Sequence, residues 1–244
     1  MIYTEDDIKQ DLLKTNVKEF YMKYLLRADN WYFERILNID EKDIIHAVDD
    51  FKMLVSDAFD IGFNNTVMVG SAKLGVSLSP EKFLKHFTDE GDNQSDIDIA
   101  IISTQLFDYF WRLFRMSYNI TNKKYYRYIS RGIYRGYISD TDLLNIEECR
   151  VEWIKKSNAA TKSLQRDMYF KHEIHYRIYR DWKDLEEYHM SLCLRKHLMG
   201  SDQTKAVRQH YTRYRKPLRE RTGLLRAIYT HASTALITTQ SSDC

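Results

Sequence analysis

Apolar residues recur at steps of three and four in two long stretches near the start of the chain. One stretch runs from Glu5 to Leu26, and the other runs from about Lys42 to Ile61. This spacing places the apolar side chains on one side of an α-helix, so each stretch is predicted to form an amphipathic helix. The second helix is expected to end near Gly62, because small and polar residues follow it.

Two short apolar runs have the composition of buried β-strands. Thr66–Val69 is rich in β-branched residues and stops at Gly70, and Ile97–Ile102 follows a stretch of Ser, Pro, Gly, Asp and Asn. Both runs are short enough for strands and are bounded by residues that favour turns. Ser103 is predicted to be the N-cap of a helix that continues to Tyr118.

A third strand is predicted from Glu173 to Tyr179, where apolar and polar residues alternate, and a helix from Asp184 to Leu198 is expected to follow. Strands separated by helices in this way predict an α+β fold, with a small mixed β-sheet flanked by helices and a helical C-terminal part. We expect residues 1–180 to form the core with its N-terminal helices. Residues 181–244 are expected to form a basic helical region packed on that core.

The composition is that of a globular protein, with 43% hydrophobic and 30% charged residues. The three cysteines, Cys149, Cys193 and Cys244, are far apart and odd in number, which predicts neither a disulfide framework nor a pair of metal ligands. The first residues are acidic, unlike a signal peptide, and no apolar run is long enough to cross a bilayer. We therefore expect a cytoplasmic protein with no membrane partner.

The net charge of +2 is small, but the basic residues are concentrated in two parts of the sequence. The segment Lys123–Tyr137 interleaves Lys and Arg with tyrosines, as many nucleic-acid-binding surfaces do. A helix with inward tyrosines and basic stems along its surface has the same composition, and both interpretations stay open. Lys205–Arg226 carries many basic and few acidic residues, which predicts contact with a polyanion such as RNA. The residues expected to bind nucleic acid there are Arg213, Arg215, Lys216 and Arg219.

Two carboxylates and a glycine-serine turn form the pattern with the most chemical meaning. Side chains alternate along a strand, so Asp96 and Asp98 are expected on one face. Two neighbouring carboxylates raise one another's pKa unless a cation lies between them, which predicts binding of Mg²⁺ or Mn²⁺. The turn at Gly70 and Ser71 is expected to donate hydrogen bonds to a nucleotide phosphate. Lys73 either reaches the same phosphates or faces solvent.

The runs Val67–Ser71 and Ser95–Ala100 together resemble the DNA polymerase beta nucleotidyltransferase superfamily. The signature of that superfamily is a hydrophobic strand that ends in Gly-Ser, followed by a second strand that bears Asp-x-Asp. The resemblance implies a nucleotidyltransferase core in which Ser71 contacts the phosphate of an NTP, and Asp96 and Asp98 bind the metal ion. A third carboxylate on a neighbouring strand completes such sites.

The third carboxylate has three candidates in this chain. Glu173 is the first choice, because it lies on the polar face of the predicted third strand. His175 and Arg177 share that face and could line the site, although polar alternation is common on half-exposed strands. Asp140 and Asp142 are the alternatives to Glu173.

The resemblance also implies a reaction, the transfer of a nucleoside monophosphate from an NTP to a hydroxyl acceptor. Acceptors in the superfamily include RNA ends and protein side chains, and many small bacterial members act in toxin or antiphage systems. The C-terminal basic run favours RNA. The alternative is a catalytically degenerate module that binds nucleotide or RNA as a sensor. The spacer between the two halves of the signature is long for the family, so Val76–Gln94 is expected to form an inserted loop or small helix at the mouth of the site.

Overall fold

A computed structural model describes residues 3–79, 82–91 and 93–199, apart from the side chains of residue 13 and of residues 194–199. The fold is α+β, as predicted, with one four-stranded mixed β-sheet in this part of the chain. None of the helices among these residues combines the length and the hydropathy that a membrane span requires. The predicted nucleic-acid-binding residues Arg213, Arg215, Lys216 and Arg219, like the rest of 200–244, lie outside the described residues.

The sheet contains the three predicted strands and a fourth that the sequence pattern did not reveal. The strands are β1 (Thr66–Val69), β2 (Ile97–Ile102), β3 (Tyr137–Ser139) and β4 (Ile174–Tyr179). Their spatial order is β1-β2-β4-β3, in which β2 and β4 are parallel and the other two pairs are antiparallel. The third predicted strand is β4, which begins one residue later than predicted, and β3 is the unexpected strand.

Helices form most of the remaining structure. A π-helical turn at Met22–Leu26 continues α2, and a short 3₁₀ turn at Glu41–Asp43 precedes α4. The α-helices are α1 (Glu5–Lys14), α2 (Val17–Tyr21), α3 (Trp31–Arg35), α4 (Ile44–Phe59), α5 (Gly70–Leu74), α6 (Thr104–Met116), α7 (Lys123–Tyr134), α8 (Asp140–Asn145), α9 (Glu147–Asp167) and α10 (Trp182–Met199).

Local side chains explain where several of these helices begin and end. The prediction of one helix over Glu5–Leu26 is wrong, because Thr15 is extended and the side chain of Asn16 caps the start of α2. The second predicted helix is α4, which ends at Asp60 in the left-handed conformation. Ser103 caps α6 with its side chain, as predicted.

The two faces of the sheet are buried against different helices. Ile99 of β2 points into the main core, which aromatic side chains of α4, α6 and α9 fill. Ala100 points to the other face, where Leu185 of α10 packs in a smaller cluster. Asp98 lies on this second face, because side chains two residues apart on a strand point the same way.

The N-terminal helices hold α5 in place. Leu74, at the end of α5, packs with apolar residues of α1 and α2 in a cluster that is separate from the main core. Tyr24 and Leu25, from the π-helical turn, are buried in the same cluster. The end of α5 is therefore packed against the N-terminal helices.

Candidate functional site

The predicted turn and the predicted carboxylates meet at one end of the sheet. The antiparallel register of β1 and β2 places Val69 opposite Asp98, and Gly70 follows Val69 directly. Gly70 has a φ of 72°, in the left-handed region that favours glycine. A Cβ atom at this position would lie 2.6 Å from Oδ2 of Asp98. Both the backbone conformation and the neighbouring carboxylate therefore restrict the position to glycine.

Gly70, Ser71, Asp96 and Asp98 line the same cavity, which has a volume of about 420 Å³. This size is within the range of small-molecule sites. The segment Val76–Gln94 is largely irregular, which agrees with the predicted loop and not with the predicted small helix. It supplies many of the other lining residues, which are Ser77, Leu78, Ser79, Lys82, Lys85, His86, Asn93 and Gln94.

Basic side chains accompany the carboxylates in this cavity. Lys82, Lys85, His86 and Arg177 all line it. Nε2 of His86 lies 3.2 Å from Oε2 of Glu5. Neither Lys82 nor Lys85 forms an ion pair within the described part of the chain. Two unpaired ammonium groups beside a glycine-serine turn favour an anionic ligand.

The carboxylate of Asp98 is partly buried and lies near the carboxylate of Asp96. Burial raises its pKa, the guanidinium of Arg177 opposes that shift, and Asp96 adds to it. No hydrogen bond joins the carboxylate of Asp98 to another of the described residues. A bound cation would stabilise a partly buried carboxylate that lies near a second carboxylate.

Asp96 and Asp98 provide carboxylate oxygens, the kind of ligand that a Mg²⁺ ion bound together with phosphates would need. In such sites one or two carboxylates hold the ion, and phosphate oxygens and water complete its coordination. Among the described residues, no group of three or more His, Cys, Asp or Glu side chains could hold a metal ion alone. The two aspartates can therefore take part in a metal site that phosphates complete, but not in a cage built by the protein.

A histidine of β4, not a carboxylate, lies beside Asp98. The parallel register places His175 opposite Asp98. Nδ1 of His175 lies 2.9 Å from Oδ2 of Asp140, and its Nε2 lies 4.0 Å from Oδ2 of Asp96. The hydrogen bond with Asp140 is the main reason that the pKa of His175 is raised to about 9. Asp140 is buried and also accepts a hydrogen bond from the backbone N–H of Tyr176. The imidazole is therefore a cation at neutral pH.

None of the three candidates for a third carboxylate lines the cavity. The side chain of Glu173, the first choice, is 79% exposed, and its Oε1 lies 3.6 Å from Nε2 of His175. Asp140 is engaged by His175, and Asp142 accepts a hydrogen bond from the hydroxyl of Ser139. Glu173 precedes the first residue of β4, so its side chain extends into solvent at the edge of the sheet. The structure does not assemble the expected triad of carboxylates.

Lys73 points away from the cavity. Its Nζ is buried and donates hydrogen bonds to the backbone carbonyls of Arg27 and Asp29. Burial lowers the pKa of Lys73 to about 8. The side chain reaches neither the cavity lined by Gly70 and Ser71 nor solvent, so both expectations for it are wrong. It joins α5 to the segment before α3 instead.

No family model matches this chain, and no curated protein or solved structure shows detectable similarity to it. The resemblance to nucleotidyltransferases therefore rests on the turn at Gly70 and Ser71 and on the pair Asp96 and Asp98.

Two buried polar groups in the cavity were not chosen as site residues from the sequence. Cζ of Arg177 lies 5.0 Å from the ring centroid of Tyr137 and 5.1 Å from that of Tyr188. The buried Nε of Arg177 has no hydrogen-bond partner in the described part of the chain. His189 of α10 is 6% exposed, and its Nε2 likewise has no partner there. Burial, with a contribution from Arg177, lowers the pKa of His189 to about 3, so its ring is neutral. The alternation of polar and apolar residues along β4 predicts the face on which Arg177 lies, but no sequence pattern predicts the position of His189.

The pair of His175 and Asp140 predicts that the stability of the metal-free protein depends on pH. The pKa of His175 is raised from 6.5 to about 9, so its stabilising effect is complete below pH 6.5 and is lost as the pH rises through about 9. We expect the free energy of unfolding, measured with urea in EDTA, to fall by about 1–2 kcal/mol across this range, allowing for solvent screening of a partly exposed pair. Asp140→Asn should remove most of this dependence, whereas His46→Gln, at an exposed position of α4, should retain it. Equal slopes for wild type and Asp140→Asn would contradict the pairing.

Proposed function

We propose that this chain is a metal-dependent nucleotidyltransferase that moves a nucleoside monophosphate from an NTP to a hydroxyl acceptor. The observation that supports the proposal most strongly is the close approach of Gly70 to Asp98. Phosphoryl transfer depends on positioning and on neutralising charge, and it uses a phosphate-binding backbone beside carboxylates that hold a metal ion. Gly70 lies so near Asp98 that a single added carbon atom would collide with the carboxylate.

The charges of the cavity suit a metal–triphosphate complex. Asp96 and Asp98 bring negative charge to the cavity, and Lys82, Lys85 and Arg177 bring positive charge. A nucleoside triphosphate with its metal ion brings both charges into the same volume. An apolar part of the lining could accommodate a base, and it consists of Leu25, Leu74, Leu78 and Leu192.

Each residue of the turn and the strand has a role in this proposal. Asp96 and Asp98 would hold Mg²⁺ or Mn²⁺, which when bound neutralises the phosphate oxygens and polarises the attacking hydroxyl. Ser71 and the backbone of Gly70 would donate hydrogen bonds to the phosphates. His175, already protonated, is not the base for the acceptor hydroxyl, and it offsets part of the charge of Asp96.

The proposed acceptor is RNA, and the support for it is the basic run Lys205–Arg226 in the sequence. By resemblance to the superfamily, a protein side chain is the second class of acceptor. The same resemblance suggests a role in a bacterial toxin or antiphage system, and the sequence favours the cytoplasm as its location.

A second candidate function is a sensor that binds nucleotide without turnover. The observation that favours it is the position of His175, which stands opposite Asp98 in the sheet where a third carboxylate would be needed. A cationic imidazole there provides no ligand for a second metal ion. Nucleotide binding without transfer is the outcome that this alternative predicts.

The experiment that tests the proposal follows the label of an NTP. Purified full-length protein is incubated with Mg²⁺, total cell RNA or total protein, and each of the four NTPs labelled at either the α- or the γ-phosphate. NMP transfer should label a macromolecule from the α-phosphate alone, and EDTA should prevent it. Labelling from the γ-phosphate would instead show phosphoryl transfer. Nucleotide binding without any labelling would support the sensor, and the absence of nucleotide binding would contradict both functions.

A further inference from the structure

The surface formed by α6, α7 and the residues around them is strongly basic. From Thr104 to Gly136 the chain has seven Lys and Arg residues and a single acidic residue, Asp108. None of the seven forms an ion pair within the described part of the chain, and all except Arg135 are exposed. We call this region the α6–α7 surface, and its basic residues are Arg112, Arg115, Lys123, Lys124, Arg127, Arg131 and Arg135.

The charges of α7 oppose its own stability as a helix. Lys123 and Lys124 begin the helix, and no acidic residue lies in its first turn. The helix dipole disfavours positive charge at this end. A local rule that is broken without a compensating contact is expected at functional sites. An anionic partner would supply the missing contact.

Exposed tyrosines lie among these basic residues. Tyr128 and Tyr134 are 65% and 92% exposed on α7, whereas Tyr125 and Tyr126 pack against the main core. Ser130 is the one exposed residue of α7 that is neither basic nor aromatic. Two tyrosines of α7 therefore pack inward, as one interpretation of the sequence expects, and two face solvent beside lysine and arginine.

We infer that the α6–α7 surface binds a single-stranded polynucleotide. Phosphates would neutralise its Lys and Arg side chains, and unpaired bases would stack on Tyr128 and Tyr134. A duplex keeps its base faces hidden and can satisfy only the charges. The chain's own run Lys205–Arg226 is an unsuitable occupant, because it is basic as well.

This surface is distinct from the cavity. Phe110 of α6 and Ile129 of α7 are buried in the main core, on the face of the sheet to which Ile99 points. Asp98 lies on the opposite face. The inference therefore does not rest on the proposed transferase activity, and it can be tested without nucleotide or metal ion.

The test is fluorescence anisotropy with the full-length protein and a labelled RNA of about 20 nucleotides without self-complementarity, longer than the site of a typical single-strand-binding domain. EDTA is present and NTP is absent. The double variant Tyr128→Ser/Tyr134→Ser is expected to bind about 25-fold more weakly, from roughly fivefold for each lost stack. Arg127→Gln/Arg131→Gln should also reduce the slope of log affinity against log salt by about 1.4, or about 0.7 for each lost phosphate contact.

A matched control removes the same charge from another helix. Lys155→Gln/Lys162→Gln, at exposed positions of α9, should leave the affinity for RNA unchanged. Circular dichroism melts of all variants confirm that the fold is intact. Unchanged affinity of both α7 variants would overturn the inference and leave the surface to a protein partner. Equal binding of a duplex of the same length, or no RNA binding by the full-length protein, would overturn it as well.

Discussion

Replacement of Asp98 by asparagine is expected to lower NMP transfer by at least about a thousandfold, or about 4 kcal/mol of transition-state stabilisation. Asparagine has the shape of aspartate but lacks the charge that would hold the metal ion. The same change should not weaken the fold. Burial raises the pKa of Asp98, so a neutral amide costs less to bury there than the carboxylate does. In EDTA we expect the free energy of unfolding of Asp98→Asn to equal or exceed that of wild type.

Two measurements on the same variant separate the role of Asp98 in the site from a role in folding. Initial rates of label transfer report activity, and urea unfolding in EDTA reports stability. Asp57→Asn, at an exposed position of α4, makes the same charge change away from the cavity and should leave both quantities unchanged. Wild-type activity of Asp98→Asn would contradict its assignment. A loss of stability would show that contacts within the protein, and not a cation, hold the carboxylate.

The strands of the sheet could be predicted where burial leaves a clear pattern. Thr66–Val69 and Ile97–Ile102 are mostly buried and mostly apolar, which is why their bounds agree with the structure. Tyr137–Ser139 could not be predicted, because three residues at the edge of a sheet carry too little periodicity. Its place depends on pairing with β4, which is distant in sequence.

The site could be predicted only as far as strand alternation reaches. Alternation placed Asp96 and Asp98 on one face, and the Gly-Ser turn marked the end of β1, so the structure brings these residues to one cavity. Alternation predicts which face of the sheet a side chain lies on, but it does not predict how deeply that side chain is buried. Glu173 is on the correct side of the sheet, yet it precedes the paired part of β4 and remains in solvent.

Register decides which residue of β4 faces the carboxylates, and register is not encoded locally. His175 lies opposite Asp98 only because β2 and β4 are parallel and pair Ile97 with Ile174. The partner of His175, Asp140, comes from the start of α8, immediately after the strand that was not predicted. Lys73 illustrates the same limit, since its carbonyl partners lie in a segment of the N-terminal region whose path only the tertiary structure shows.

Gly70→Ala is expected to impair both folding and nucleotide binding, and Gly91→Ala provides the matched control. Both glycines have positive φ, 72° and 91°, so both changes strain the backbone. A Cβ at Gly91 meets nothing within 4 Å, whereas one at Gly70 would lie 2.6 Å from Oδ2 of Asp98. Gly91→Ala should therefore cost about 1 kcal/mol of stability, and Gly70→Ala about 2–4 kcal/mol, since it adds an overpacked contact to the strain.

The role of the carboxylate in this effect can be isolated with a double-mutant cycle. In the background of Asp98→Ala, the colliding oxygen is absent and the remaining Cβ of residue 98 lies at an ordinary 3.4 Å. The loss of stability caused by Gly70→Ala should therefore be smaller than in wild type by at least about 1 kcal/mol.

Isothermal titration of a non-hydrolysable NTP with Mg²⁺ should show at least about tenfold weaker binding to Gly70→Ala, or about 1.4 kcal/mol, and no change for Gly91→Ala. Equal destabilisation of the two glycine variants would mean that backbone strain alone restricts Gly70. Additive effects of Gly70→Ala and Asp98→Ala would mean that the turn and the carboxylate are not in contact in solution. The proposal of a phosphate and metal site would then lose the close approach of Gly70 to Asp98, which is its main support.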